Sequence, residues 1–361
     1  MTRVMNFNPG PACMPLEVLQ EVQKEFLDFA GTGKSILESS HRSPEYDKVH
    51  TGAQELLKEL LGLGDDYQVL FLGGGASTQF AMVPMNFLGK GQVADYLVTG
   101  SWSKKAVKEA KIFGQVNIAA TTEKDGKFTR IPKPEECQFS ENAAYVHLTS
   151  NNTIFGTQWK NFPEVKTPLI ADMSSDILWR PFDAKKFALI YAGAQKNLGP
   201  SGVTVVVVRR DLVGKAAKDI PSMFSYPIQA EKNSLYNTPP CFSIYMVGKT
   251  LQWLKNKGGL AVMEKENRAK GDLLYKTIDN HADFFRAPVE KESRSYMNIV
   301  FRLPDENLEK RFIDEGKNAG MIGLKGHRSV GGIRVSTYNA VSLEWVQAIT
   351  DFMQDFIKRN G

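Results

Sequence analysis

One lysine, Lys196, stands in the segment YAGAQKNLGPSG (191–202), between the apolar runs FALIYA (187–192) and VTVVVV (203–208) and among Gly193, Gly199, Pro200 and Gly202. An amine delivered at the end of a buried strand is kept from water. That favours the neutral, nucleophilic form needed to build a Schiff base with a carbonyl. Asp172, 24 residues earlier, ends another apolar run, PLIAD (168–172). The separation is about one strand–connection–strand unit, so acid and amine can converge. A buried carboxylate is costly unless it meets a cation or a strong donor. A protonated pyridine nitrogen is one such cation, and holding it makes the ring an electron sink. The competing reading is a purely structural Asp–Lys ion pair.

Other strand ends add to this pair. QVLFL (68–72) delivers GGGAST (73–78), glycines followed by Ser77 and Thr78 at the start of a helix, where free amides and hydroxyls suit a phosphate. No Gly-Lys-Ser/Thr follows, so this is not a P-loop, and it is not GxGxxG either. VADYLV (93–98) delivers TGSWS, whose Trp102 either stacks on a flat ring or belongs to the core. YVHLT (145–149) leads into NNTIFG with Thr153 as a hydroxyl donor, and FALIYA delivers Gln195 beside Lys196. Ligands of open α/β sheets bind at the carboxyl ends of strands, so an anion-binding turn, an aromatic plate, an acid and a lysine there argue jointly.

The elements that must position these groups follow from periodicity. Two-sided apolar runs at 68–72, 93–98, 115–120, 145–149, 168–172, 187–192 and 203–208 alternate with helical segments and predict a mostly parallel α/β sheet covered on both faces. The last two runs are too close for a helical crossover, so one antiparallel strand is expected there. The spacing predicts a helix from Pro15 with Leu16, Leu19, Val22 and Phe26 inward. A second starts at Ser43-Pro44 and ends near Gly62 or Gly64. Beyond residue 258 a long polar helix, strands YMNIVFRL and GIRVSTY, the helix ENLEKRFIDEG and a final helix facing inward through Leu343, Val346, Ile349, Phe352, Met353 and Phe356 read as a smaller α+β unit. The N-terminal segment with Asn8, Pro9 and Gly10 joins that unit or lies across the site.

The chain has 361 residues, 42% hydrophobic and 24% charged, with a net charge of +5. That mild basicity suits anionic small molecules. No basic run interleaved with aromatics points to nucleic acid, no Cys/His spacing points to a metal, and no apolar run approaches the roughly 20 residues of a membrane span. Cys13, Cys137 and Cys241 are scattered and odd in number, which argues against a disulfide framework and for a reducing, cytoplasmic setting.

Taken in order, NFNPGP (6–11), HRSPEY (41–46), GGGASTQF (73–80), TGSWS, NNTIFG, ADMSSD, QKNLGPSG (195–202), YNTPP (236–240) and KGHRSVGGIRVSTYNA (325–340) resemble the phosphoserine aminotransferase family, class V of the fold-type I pyridoxal-phosphate enzymes. The set covers nearly the whole chain. The resemblance implies a large domain over 16–258 with a mostly parallel seven-stranded sheet between helices, and a small α+β domain from 1–15 and 259–361. It implies pyridoxal 5'-phosphate, one per subunit, held as a Schiff base on Lys196. Asp172 would pair with the ring nitrogen and Trp102 would stack on the ring. Thr153 and Gln195 would hold ring substituents, and Ala76 and Ser77 the phosphate. Asn237 and Thr238 would reach that phosphate from the neighbouring subunit of a homodimer. Arg334 would bind the substrate α-carboxylate, while Arg42 with His41, and His327 with Arg328, would take the distal carboxylate or phosphate. His41, His327 and Arg328 are expected across the dimer interface. Some family members carry arginine where this chain has Ser77, which leaves more of the neutralisation to Arg42, His327 and Arg328.

The activity implied is a reversible ping-pong transamination in which L-glutamate and 3-phosphohydroxypyruvate give 2-oxoglutarate and O-phospho-L-serine, a step of serine synthesis and, in some bacteria, of a related route to vitamin B6. Within the same fold, the rivals are a serine/alanine–glyoxylate aminotransferase and a cysteine desulfurase. Outside it, the rival is a cofactor-free nucleotide- or anion-binding α/β protein.

Overall fold

The computed structural model describes residues 3–361, so the first two residues of the 1–15 segment lie outside it. Seven strands build the central sheet: β1 (Tyr67–Leu72), β2 (Val93–Val98), β3 (Gln115–Thr121), β4 (Val146–Thr149), β5 (Leu169–Asp172), β6 (Phe187–Gly193) and β7 (Thr204–Arg209). Each falls on one of the apolar runs. Their spatial order is β1-β7-β6-β5-β4-β2-β3. β7 is antiparallel to both neighbours, and every other pair is parallel. The short 194–203 link leaves no length for a helical crossover, so β7 folds back with Thr204 opposite Gly193.

Helices cover both faces, which is why the central strands are apolar throughout. The first helices are α1 (Leu16–Glu25), α2 (Pro44–Leu61), α3 (Gly75–Phe87) and α4 (Ser101–Ala110). On one face, Val69, Phe71, Leu148, Ile190 and Val205 pack with Ala53 and Leu57 of α2 and with Val247 and Leu251 of the helix Cys241–Asn256. On the other, Leu70, Tyr96, Ile170, Leu189 and Val206 meet Phe80 and Val83 of α3 and Ala106 and Val107 of α4. α2 starts where the sequence signals it: the Ser43 side chain accepts the Tyr46 N–H, Pro44 opens the first turn, and Gly62 closes the helix in the left-handed region.

The inward face expected for α1 is shifted. Val18 and Val22 are buried, whereas Leu16, Leu19 and Phe26 keep 46%, 37% and 38% exposure. The helix carries two apolar faces, and the valine stripe (i, i+4) is the one buried within the chain, next to Tyr245 and Met246, while Phe26 only meets Phe242 edge-on. Leu343, at the first position of Leu343–Asn360, is likewise 49% exposed, while Val346, Ile349, Met353 and Phe356 are buried.

A third core joins Leu274 and Ile278 of Gly259–Asn280, Phe312 of Glu306–Asn318, Phe356 of the last helix, and the antiparallel pair Asn298–Phe301 and Ile333–Ser336. Phe7 and Cys13 belong to it. The short strand Met5–Asn6 pairs in parallel with Met321–Ile322, and the chain then brings Pro9 and Gly10 to the cavity described below. The N-terminal segment therefore does both things that the sequence left as alternatives.

Candidate active site

A cavity of about 500 Å³ opens at the carboxyl ends of β1, β2, β4, β5 and β6. Asp172 ends β5 and Lys196 follows β6, the strand beside it, so the two groups face the same space. They form no direct ion pair among the described residues and act on each other across the cavity. Burial pushes the Lys196 amine below the usual lysine range; the charges of Asp172 and Asp176 oppose that shift and Arg334 reinforces it. Burial also raises the Asp172 carboxyl, against the influence of Lys196 and two hydrogen bonds from Ser174.

Those bonds fix the orientation of the carboxylate. The Ser174 N–H and Oγ donate to Asp172 Oδ1 at 2.9 and 2.6 Å, and the Gly193 N–H donates to Ser174 Oγ at 3.1 Å. Oδ2 receives no hydrogen bond from the described residues and is left to the cavity. A structural ion pair would use that oxygen; a ligand cation such as a protonated ring nitrogen fits it.

Around the lysine, backbone comes close. Gly10 sits at φ +144°, and a Cβ there would lie 3.4 Å from Lys196 Cγ and 3.6 Å from Cε. The Ala12 N–H donates to the Gln195 carbonyl at 2.8 Å, which ties the N-terminal segment to the lysine's own turn. At the glycine turn, Gly74 has φ +84°, and a Cβ would fall 1.7 Å from Thr78 Oγ1. Only glycine fits there, and the turn lets α3 begin with Ala76 and Ser77 bordering the cavity. The first amides of a helix have no intrahelical acceptor, so this end is positive and suits an anion.

Trp102, in the first turn of α4, is half-buried and lines the cavity, and its Nε1 donates to Thr153 Oγ1 at 3.1 Å. It is therefore a wall of the site as well as a neighbour of the core. Arg334 reaches in from the strand Ile333–Ser336: Nη1 donates to the Thr153 carbonyl at 2.8 Å, while Nε is buried with no partner among the described residues. Such an orphaned donor fits a carboxylate. Gln195 and His327 also border the cavity. Burial lowers the His327 imidazole, helped by Arg334, Arg328 and Lys105, and Ser329 Oγ lies 2.7 Å from its Nδ1. His327 thus lines the cavity of its own chain, whereas the resemblance set it across a subunit boundary.

Five expected residues are not brought together here. His41 and Arg42 sit in the turn before α2, and Arg328 is exposed on the loop beside His327 without lining the cavity. Asn237 and Thr238 are exposed; Asn237 lines a separate cavity of about 260 Å³ that shares Gly74 with the main one. None of the three cysteines lines the main cavity.

Ser174 was not singled out from sequence, and Gly10 was named only as part of the N-terminal segment. A serine two residues after the acid in ADMSSD is the Asx-type signal that could have marked the first. Asp176 was also missed. It is a fully enclosed acid that accepts hydrogen bonds from Ser150 Oγ and, at 3.1 Å, from Gln158 Nε2, and burial pushes its carboxyl up to about 6. Among the described residues, no cluster of His, Cys, Asp and Glu is placed to hold a metal, and no helix is long and apolar enough to cross a membrane.

Residues 4–349 match the family model described as aminotransferase class-V. A phosphoserine aminotransferase of Herpetosiphon aurantiacus is 55% identical over 359 residues, with 99% of both chains covered. The solved phosphoserine aminotransferase of Bacillus circulans subsp. alkalophilus superposes with a TM-score of 0.97 at 54% identity, covering 99% of each chain. A pyridoxal-phosphate-bound phosphoserine aminotransferase from Trichomonas vaginalis gives 0.93 at 38% identity over 98% of this chain and all of the other.

Proposed function

The chain belongs to the class-V aminotransferase family, and on that premise we propose that it is a pyridoxal-phosphate-dependent phosphoserine aminotransferase. Its reaction exchanges the amino group of L-glutamate for the keto group of 3-phosphohydroxypyruvate, yielding O-phospho-L-serine and 2-oxoglutarate. The observation that carries this reading is the pairing of an enclosed Lys196 with an Asp172 whose free oxygen faces the same cavity.

Bound through Lys196, pyridoxal phosphate supplies a conjugated ring that takes up the electron pair left when the substrate loses its α-proton. The residues present fit that group. The free Asp172 oxygen suits the protonated ring nitrogen, the first turn of α3 with Ala76 and Ser77 suits the phosphate, and Trp102 suits the ring face. Thr153 and Gln195 would hold ring substituents.

The chain's own work is positioning and proton transfer. Lys196 Nζ, kept toward its neutral form by burial, is placed to take the substrate α-proton and return it. Arg334 binds the α-carboxylate through its unpartnered Nε and so orients the substrate toward that amine. His327 neutralises the distal anion from the cavity wall, together with Arg328 on the adjoining loop and with Arg42 supplied by the partner subunit. One distal pocket then serves both the glutamate carboxylate and the phosphate.

We read the working molecule as a cytoplasmic homodimer, each chain divided into a large unit over 16–258 and a small one from 1–15 and 259–361. His41, Arg42, Asn237 and Thr238 do not line their own cavity, and they would complete the partner's. The exposed Leu16, Leu19, Leu27 and Leu37 supply apolar surface for such a contact.

The test is a comparison of amino donors to 2-oxoglutarate. O-phospho-L-serine should be strongly preferred to serine and to alanine, and equal rates with all three would reject the substrate assignment.

A further inference from the structure

We propose that Lys105 is a positioning residue for the phosphate end of the substrate, holding the Trp102 indole and adding a positive charge at the mouth of the cavity. This rests on the functional reading above. Lys105 lies three residues after Trp102 on α4, so the two side chains share a helix face. Its Nζ stands 4.4 Å from the centre of the indole ring, well within cation–π range.

The adjacent Lys104 is paired with Glu123 at 2.6 Å. Lys105, in contrast, has no carboxylate partner and no hydrogen bond among the described residues, so its charge is free to act outward. It is felt at His327 together with Arg334 and Arg328. The cavity lining contains a single acid, Asp172, against Lys196, His327 and Arg334. Asp125 lines an adjoining cavity with His327 and Arg334, and Glu123 is taken up by Lys104, so the cations bordering the main cavity outnumber its one acid.

Trp102 is held at two points. Thr153 accepts from its ring N–H and sets the edge, while Lys105 over the ring sets the tilt. Without Lys105, the indole keeps its hydrogen bond and loses the contact that fixes its plane. A dianionic phosphate gains more from the added charge than a singly charged carboxylate does.

The experiment measures KM and kcat for O-phospho-L-serine and for L-glutamate in the holoenzyme and in the Lys105→Met and Lys105→Arg variants. Lys105→Met should raise KM for phosphoserine about two- to fivefold and raise it less for glutamate, with kcat retained; Lys105→Arg should restore it. A second readout needs no substrate: the ¹⁹F resonance of Trp102 in holoenzyme labelled with 5-fluorotryptophan, assigned by its loss in Trp102→Phe. It should move in Lys105→Met and stay near the wild-type position in Lys105→Arg. The proposal is overturned if the two KM values rise by the same factor or not at all, or if arginine fails to rescue. A wild-type enzyme inactive with phosphoserine would instead refute the substrate assignment, and the Trp102 resonance would still decide the role of Lys105.

Discussion

Replacing Ser174 by alanine removes one of the two hydrogen bonds that hold Asp172 Oδ1, the 2.6 Å bond from the hydroxyl. It also takes away the acceptor of the Gly193 N–H. A hydrogen bond to a charged group contributes about 1.5–3 kcal/mol. If Asp172 must be ionised and correctly aimed to hold the ring nitrogen, cofactor affinity should fall roughly 10- to 150-fold. The sign of the pH effect is set by the same bond. Burial already raises the Asp172 carboxyl and the Ser174 bonds oppose that, so losing one raises it further. The acid limb of cofactor binding should then move to higher pH. Titration of the cofactor-free protein with pyridoxal phosphate, followed by absorbance over a pH series, measures both effects. Urea unfolding shows whether the variant is folded, with a loss of about 1–3 kcal/mol expected for the orphaned amide. A folded Ser174→Ala protein that binds the cofactor as tightly as wild type, with an unmoved acid limb, would refute the role given to Asp172.

Arg334→Gln should lower kcat/KM for glutamate and phosphoserine alike, by roughly 10- to 100-fold, because both present an α-carboxylate; steady-state kinetics with the two substrates checks this. Mixing a Lys196→Ala chain with an Asn237→Ala chain under conditions of subunit exchange should restore activity that neither has alone, and no recovery would remove the shared-site reading. Asp176 has its carboxyl raised from 3.8 to about 6. Its stabilising contribution is therefore full below pH 3.8 and lost as pH rises through 6. Over that window, Asp176→Asn should gain up to about 3 kcal/mol relative to wild type, measured by urea unfolding at a series of pH values.

The strands of the large sheet were legible because their apolar runs are continuous, and the reversed β7 because the 194–203 link is too short to cross over. Lys196 and Asp172 were legible from the same geometry, since strand ends deliver them. Ser174 was not, because its role is a hydrogen bond made two residues from the acid, and serine pairs are common in turns. Asp176 was hidden by its neighbour: two acids in ADMSSD looked like one motif, and burial alone separates them. Periodicity misjudged α1 and Leu343 for a different reason. It marks which residues are apolar, not which of two apolar faces the chain itself covers. His41, Arg42, Asn237 and Thr238 came from the family resemblance, and none of them lines the cavity of this chain.

On the proposed reading Lys196 is the point where the cofactor is held. Borohydride reduction of the yellow holoenzyme, followed by proteolysis and mass spectrometry, should bleach the visible band and leave one reduced pyridoxyl phosphate per chain, on the peptide that contains Lys196. A label on another lysine, or a band that borohydride leaves intact, would contradict it.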